Sequence, residues 1–213
     1  MHWDILDKKR LALLPKLKFL KDAGFYLAGG TALALQIKHR KSVDFDFYNQ
    51  KEFDSAKIYR IFQKQKPEKL SLYTTAENTL ILEINGIGIS LFTYNYPLLK
   101  PFLVTDYINL ASLEDISAMK LIAIIQRGIK RDFVDLYFLA KWLGLENIMD
   151  LTKNKFAGFN RYLACQALVY FQDAEERQTR KLQMLKPIGW GAVKKYFINE
   201  VAGGKIKWSR YEK

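Results

Sequence analysis

Hydrophobic positions along this chain change period once, and that change divides it. Up to about residue 110, short apolar runs and two-residue alternations are interspersed with helical stretches; from Ser112 onward the apolar spacing is helical throughout. Ile5, Leu6, Leu11, Leu13, Leu14, Leu17, Phe19 and Leu20 predict an N-terminal helix, kinked or restarted at Pro15 and ended by Gly24. Phe25 to Ala28 reads as a short buried strand, and Thr31 to Lys38 as a helix with Thr31 as N-cap. Val43-Asp44-Phe45-Asp46-Phe47 alternates strictly and predicts a strand. A helix over residues 52–65 follows, closed by Pro67, then strands over 70–75, 79–85 and 87–94, with Asn85-Gly86 marking a hairpin turn. Two prolines, Pro97 and Pro101, interrupt regular structure, and 104–108 allows one more short strand. Helices are predicted over 113–126, 133–143, 147–153, 161–170 and 191–199, with Ser112 and Asp115 forming a capping-box-like start to the first.

This order implies an α+β (α/β) protein: a mixed β-sheet core with flanking helices over residues 1–110, followed by a helical bundle over 111–213. The chemistry concentrates where the period changes fastest. Gly29-Gly30 separates a strand from a helix, an arrangement that presents free backbone N–H groups to a phosphate. Period two puts Val43, Phe45 and Phe47 on one strand face and the carboxylates of Asp44 and Asp46 on the other. Aspartate is depleted in strands, so two in three residues need a reason, and holding Mg²⁺ against a triphosphate supplies one. The alternative at each place is plain: a tight turn at Gly29-Gly30, solvated strand positions at Asp44 and Asp46.

Charge narrows the partners. The 213 residues carry 34 Lys and Arg against 22 Asp and Glu, a net charge of +12, and about half are apolar. That excess favours an anionic partner such as nucleic acid or nucleotide, and the apolar content excludes a disordered chain. The single cysteine, Cys165, falls in an apolar helical pattern and reads as a core thiol. His2 and His39 are the only histidines, which argues against a zinc site. The N-terminus has no signal-peptide pattern and no apolar run approaches ~18 residues, which points to the cytoplasm rather than a membrane. The last stretch, Val201 to Lys213, is basic with Trp208 and Tyr211; it suits contact with RNA or DNA, or a terminus either poorly ordered or strapped down by Trp208.

A glycine turn, a helix and Asp-x-Asp on a strand resemble the nucleotidyltransferase superfamily with the polymerase-beta-like core. The fuller wording, Gly29-Gly30-Thr31-Ala32-Leu33-Ala34-Leu35 with Arg40-x-Ser42-x-Asp44-x-Asp46-Phe47, more narrowly resembles the AbiEii/AbiGii toxin-type nucleotidyltransferases. Downstream, Lys120 on a helix followed by Arg131-Asp132-x-x-Asp135 is similar to a second signature of that family. The resemblance implies that Lys120 touches the triphosphate, that Asp132 or Asp135 positions the nucleotide or acceptor, and that Arg40 and Ser42 shape the site or meet phosphate. It also implies an NTP as substrate, Mg²⁺ on Asp44 and Asp46, RNA (a tRNA 3′ end) or a protein hydroxyl as acceptor, and a cognate antitoxin. Read without it, Asp132 is a natural N-cap, Asp135 lies at N3, and Arg127 and Arg131 pair with them. Members of the superfamily often carry a third carboxylate on a neighbouring strand; here Ser90 stands at that place, with Glu83 on the partner strand as the acidic alternative. The implied function is an Mg²⁺-dependent nucleotidyltransferase toxin, and the alternative is a relative that binds nucleotide, RNA or an antitoxin without turnover.

Overall fold

A computed structural model describes residues 1–177 and 181–203. The predicted N-terminal helix is broken as Pro15 requires. A 3-10 turn over Trp3–Ile5 precedes α1 (Lys8–Leu13), whose first turn is capped by Asp7 accepting from Arg10 N at 2.9 Å. A second 3-10 turn, Leu14–Leu17, carries the proline and leads into α2 (Lys18–Asp22). Leu13, Leu14, Leu17 and Leu20 are buried.

The first compact unit spans residues 1–97 and 101–112. It contains β1 (Tyr26–Leu27), α3 (Gly29–Ile37), β2 (Phe45–Asn49), α4 (Ser55–Lys64), β3 (Leu70–Ala76), β4 (Thr79–Ile84), β5 (Ile87–Thr93), β6 (Leu103–Val104) and β7 (Asn109–Leu110). These strands form one sheet of order β3-β4-β5-β2-β1-β7-β6. The β2/β5 and β1/β7 pairs are parallel and the rest antiparallel, so the sheet is mixed. Asn85 and Gly86 both sit at positive φ, 51° and 81°, as the two-residue turn demands. Alternation along β2, β4 and β5 drives Phe45, Phe47, Leu80, Leu82, Ile89 and Leu91 fully inside. Their neighbours in sequence therefore share the opposite face.

The second unit, residues 98–100 and 113–203 as described, is helical: α5 (Leu113–Arg127), α6 (Lys130–Leu143), α7 (Leu145–Lys155), α8 (Arg161–Val169), α9 (Gln172–Glu176) and α10 (Trp190–Ala202). Helix α5 packs against α6, α7 and α8, and α10 against α6 and α8. Its core includes Leu121, Phe133, Leu136, Ile148, Leu168 and Phe197, and Cys165 is buried among such residues. The aromatic and basic stretch from Gly204 to the C-terminus lies outside the described residues. Among those described, no helix is long and apolar enough to cross a membrane.

One ion pair inside the helical unit is wholly buried. Lys155 at the end of α7 places Nζ 2.7 Å from Asp115 Oδ1 on α5, and both side chains are 0 % exposed. The same carboxylate accepts backbone N–H bonds from Leu99 at 3.0 Å and Lys100 at 3.2 Å, tying the segment between the two prolines to α5. A buried charge is tolerated only while its partners are present. Lys155→Met removes the buried cation facing the Asp115 carboxylate and is expected to lower the unfolding free energy by about 3–5 kcal/mol; adding Asp115→Asn restores part of it, both read by urea unfolding.

Candidate functional site

In the sheet unit the sequence motif closes on itself. The chain leaves β1, turns at Gly29 with φ +66°, and enters α3, whose N-terminal residues are Gly29, Gly30 and Thr31. Only glycine adopts that φ at no steric cost. The helix thus begins two residues before Thr31; its N-cap is Ala28, with no side-chain cap. Thr31 is spent differently from the predicted cap. Its hydroxyl is hydrogen-bonded to Ser42 Oγ at 2.8 Å and donates to the carbonyl of Asp44, clamping the loop before β2 over the helix start.

Strand β2 begins at Phe45, so Asp44 lies in the extended approach to the strand and Asp46 within it. Asp44 is exposed and Asp46 half-buried, while Phe45 and Phe47 are in the core. The carboxylates crowd the glycines. A methyl group added at Gly29 would lie 3.3 Å from Asp46 Oδ2. At Gly30 it would lie 2.3 Å from Arg40 Nη2 and 3.3 Å from Ser42 Oγ. Arg40 is 5 % exposed and donates from Nη1 to the carbonyl of Lys41 at 3.0 Å, which lays its guanidinium over the start of α3. The structure therefore brings together Gly29, Gly30, Thr31, Arg40, Ser42, Asp44 and Asp46. His39 beside them is fully buried.

Gly88 is a member of this group that the sequence reading passed over. A Cβ there would sit 2.9 Å from Asp44 Oδ1 and 3.4 Å from its Cγ. Glycine in a strand interior signals close approach of another group, and that was the available cue. Ser90, two residues on, pairs directly with Asp46 across the parallel β2/β5 ladder. Glu83 pairs with Gly88 on the other side and accepts from Tyr73 OH at 3.3 Å. Among the described residues no group of three or more His, Cys, Asp or Glu side chains is gathered closely enough to hold a metal alone. The Asp44/Asp46 pair, with room kept by Gly29 and Gly88, is a hard oxygen donor set that fits Mg²⁺ when further oxygens come from phosphates and water.

The second constellation is in the helical unit. Helix α6 starts at Lys130 after Ile129, so Asp132 is its third residue, not its cap, and Asp135 lies in the following turn. Lys120 on α5 is 7 % exposed and its Nζ lies 2.9 Å from Asp132 Oδ1 and 2.6 Å from Asp135 Oδ2. Arg127 donates from Nε to Asp132 Oδ2 at 2.8 Å and from Nη2 to Oδ1 at 3.1 Å. Burial pushes the Asp132 carboxyl up, but Lys120 and Arg127 outweigh it, and the group is held below the usual carboxylate range. Lys120, Asp132 and Asp135 thus form a charge cluster that joins α5 to α6.

Comparison with known proteins identifies the family and the fold. The family described as nucleotidyl transferase AbiEii toxin, type IV toxin–antitoxin system, matches residues 93–202. A protein of Aquifex aeolicus described as uncharacterized is 39% identical over 183 residues, covering 83% of this chain and 86% of its own. Among solved structures, MenT4, a nucleotidyltransferase toxin from Mycobacterium tuberculosis H37Rv, superposes with a TM-score of 0.59 at 16% identity over 90% of this chain and 82% of that one. JHP933 from Helicobacter pylori gives a TM-score of 0.54 at 17% identity over 95% of each chain. At such identities the structures speak for a shared fold. The family match spans half the chain and the fold agrees with it: this chain belongs to the AbiEii nucleotidyltransferase toxin family.

Proposed function

We propose that the protein transfers a nucleotide from an NTP to a hydroxyl acceptor, with Mg²⁺ as cofactor and pyrophosphate as leaving group. The observation that carries this reading is the convergence of Asp44, Asp46 and Arg40 at the start of α3, where the absence of side chains at Gly29, Gly30 and Gly88 lets those groups approach the backbone closely. The amides of Gly29, Gly30 and Thr31 bind the triphosphate at the helix start, where the dipole favours negative charge. Arg40 and Ser42 flank those phosphates. Asp44 and Asp46 hold Mg²⁺, which when bound offsets phosphate charge during transfer. The acceptor oxygen forms a bond to the α-phosphorus in line as the bond to pyrophosphate breaks, and the hydroxyl proton passes to water. In this reading Lys120 is the phosphate cation that the family resemblance implies, and Asp132, fixed by Arg127, positions the acceptor or nucleotide. The acceptor class is RNA, favoured over a protein hydroxyl by the charge of +12. A cognate antitoxin is the partner that membership of this toxin family supports.

A second reading, capture of nucleotide or RNA without turnover, is favoured by Ser90 standing in register with Asp46. One assay separates the two. Incubation with labelled NTPs, Mg²⁺ and total tRNA is expected to label RNA. Asp44→Asn and Asp46→Asn are each expected to reduce transfer by at least about a hundredfold, and chelation with EDTA to abolish it. NTP binding with no transfer to any acceptor would favour capture instead.

Gly88→Ala gives a finer test. A methyl group 2.9 Å from Asp44 Oδ1 must displace that carboxylate. Misplacement on this scale is expected to cost roughly 10- to 100-fold in transfer, with thermal unfolding little changed. Gly158→Ala, where a methyl group meets nothing within 4 Å, is the silent control.

A further inference from the structure

The helical unit contains a cleft of about 450 Å³ that the proposed chemistry does not use. Its rim holds three cations, Lys130, Arg177 and Lys181. Glu175 is its one acidic lining residue, and that carboxylate is already engaged: Oε1 accepts from Trp190 Nε1 at 2.9 Å and from Lys194 Nζ at 2.7 Å. Asp173, outside the lining, stands 3.8 Å from Arg177. The cleft therefore keeps a net positive rim.

Its wall is aromatic. The Trp190 indole is held by the bond to Glu175 and by edge-on contacts with Phe133 and Phe171, each at 5.8 Å between ring centroids. Lys130 Nζ stands over the indole, 5.1 Å from its centroid, and swings off that face toward phosphate for a base to stack there. Leu182, Met184 and Ile188 supply an apolar floor. Three cations around one rigid ring and an apolar floor match a phosphate joined to a planar base. Such a combination of backbone charge and stacking is how proteins hold single-stranded nucleic acid. An acidic peptide would use the cations but leave the indole and the floor unsatisfied.

Lys130 and Val134, both in the cleft, lie on the first turns of α6.

We propose that this cleft docks a single-stranded segment of an RNA acceptor, gripping phosphate with Lys130, Arg177 and Lys181 and stacking a base on Trp190. This deepens the reading of the protein as a nucleotidyltransferase and rests on it for its purpose, but its test is binding alone. Fluorescence anisotropy of a labelled 12-nucleotide single-stranded RNA is measured with the full chain across a range of KCl. The triple variant Lys130→Gln/Arg177→Gln/Lys181→Gln, which alters rim residues only, is expected to weaken binding at least about tenfold and to reduce the log–log salt slope by about 2. Trp190→Leu is expected to weaken binding about tenfold and Trp190→Phe far less. The triple variant retains Mg·NTP binding, whereas Asp44→Asn/Asp46→Asn loses it and keeps RNA binding; failure of the transfer reaction and failure of this docking site are thereby separated. An RNA affinity unchanged in the triple variant overturns the proposal. So does equal competition by an acidic peptide, which would mark a protein-binding cleft, or quenching of Trp190 by AMP as strong as by the RNA, which would mark a free-nucleotide site.

Discussion

Everything at the proposed site depends on the period of one five-residue strand. Burying Phe45 and Phe47 in the core leaves Asp46 no choice of face, and the extended approach carries Asp44 to the same side. Two neighbours then determine whether those carboxylates have space. On one side α3 opens at Gly29 with positive φ, and on the other β5 passes with Gly88 beside Asp44. Thr31 and Ser42 join the loop to the helix, so the two acids, the glycine turn and Arg40 are held as a unit. Electrostatic preorganisation of this kind needs no motion when charge develops on a bound phosphate.

The helical unit solves the opposite problem. There the charges are taken out of water and must answer one another. Lys155 with Asp115, and Lys120 with Asp132 and Asp135, cross-link α5 to its neighbours through buried or nearly buried ion pairs. Replacing such a pair by apolar residues is often neutral or stabilising, whereas removing one partner alone is costly. The lowered titration of Asp132 follows from the same arrangement: its two cationic neighbours favour the ionised form more strongly than burial opposes it.

Local chemistry made much of this legible in the sequence. The Asn85-Gly86 turn, the break at Pro15, the strands β3 to β5 and the helices α5, α7 and α8 follow from spacing and turn residues, to within a few positions at their ends. Asp44 was expected on the strand and lies just before it, because pairing with β5 begins at Phe45. Helix α6 starts three residues earlier than its apolar pattern suggests, since Ile129 has no capping side chain to announce it. The five residues of α9 have too little apolar repeat to register. The role of Gly88 depends on parallel pairing between strands separated by some forty residues of chain, which no local pattern encodes. The cleft around Trp190 draws on α6, α9, the segment after residue 180 and α10, and its residues are ordinary singly.

The two borders of the sheet have a consequence of their own. At one end β6 contributes only two residues. At the other, β3 is seven residues long, but its register with β4 shifts between Leu72 and Thr74, placing Tyr73 in an irregularity at 64% exposure. A bent outermost strand and a stub too brief to template another chain both discourage edge-to-edge aggregation. The mixed sheet is thus protected at its margins by shape.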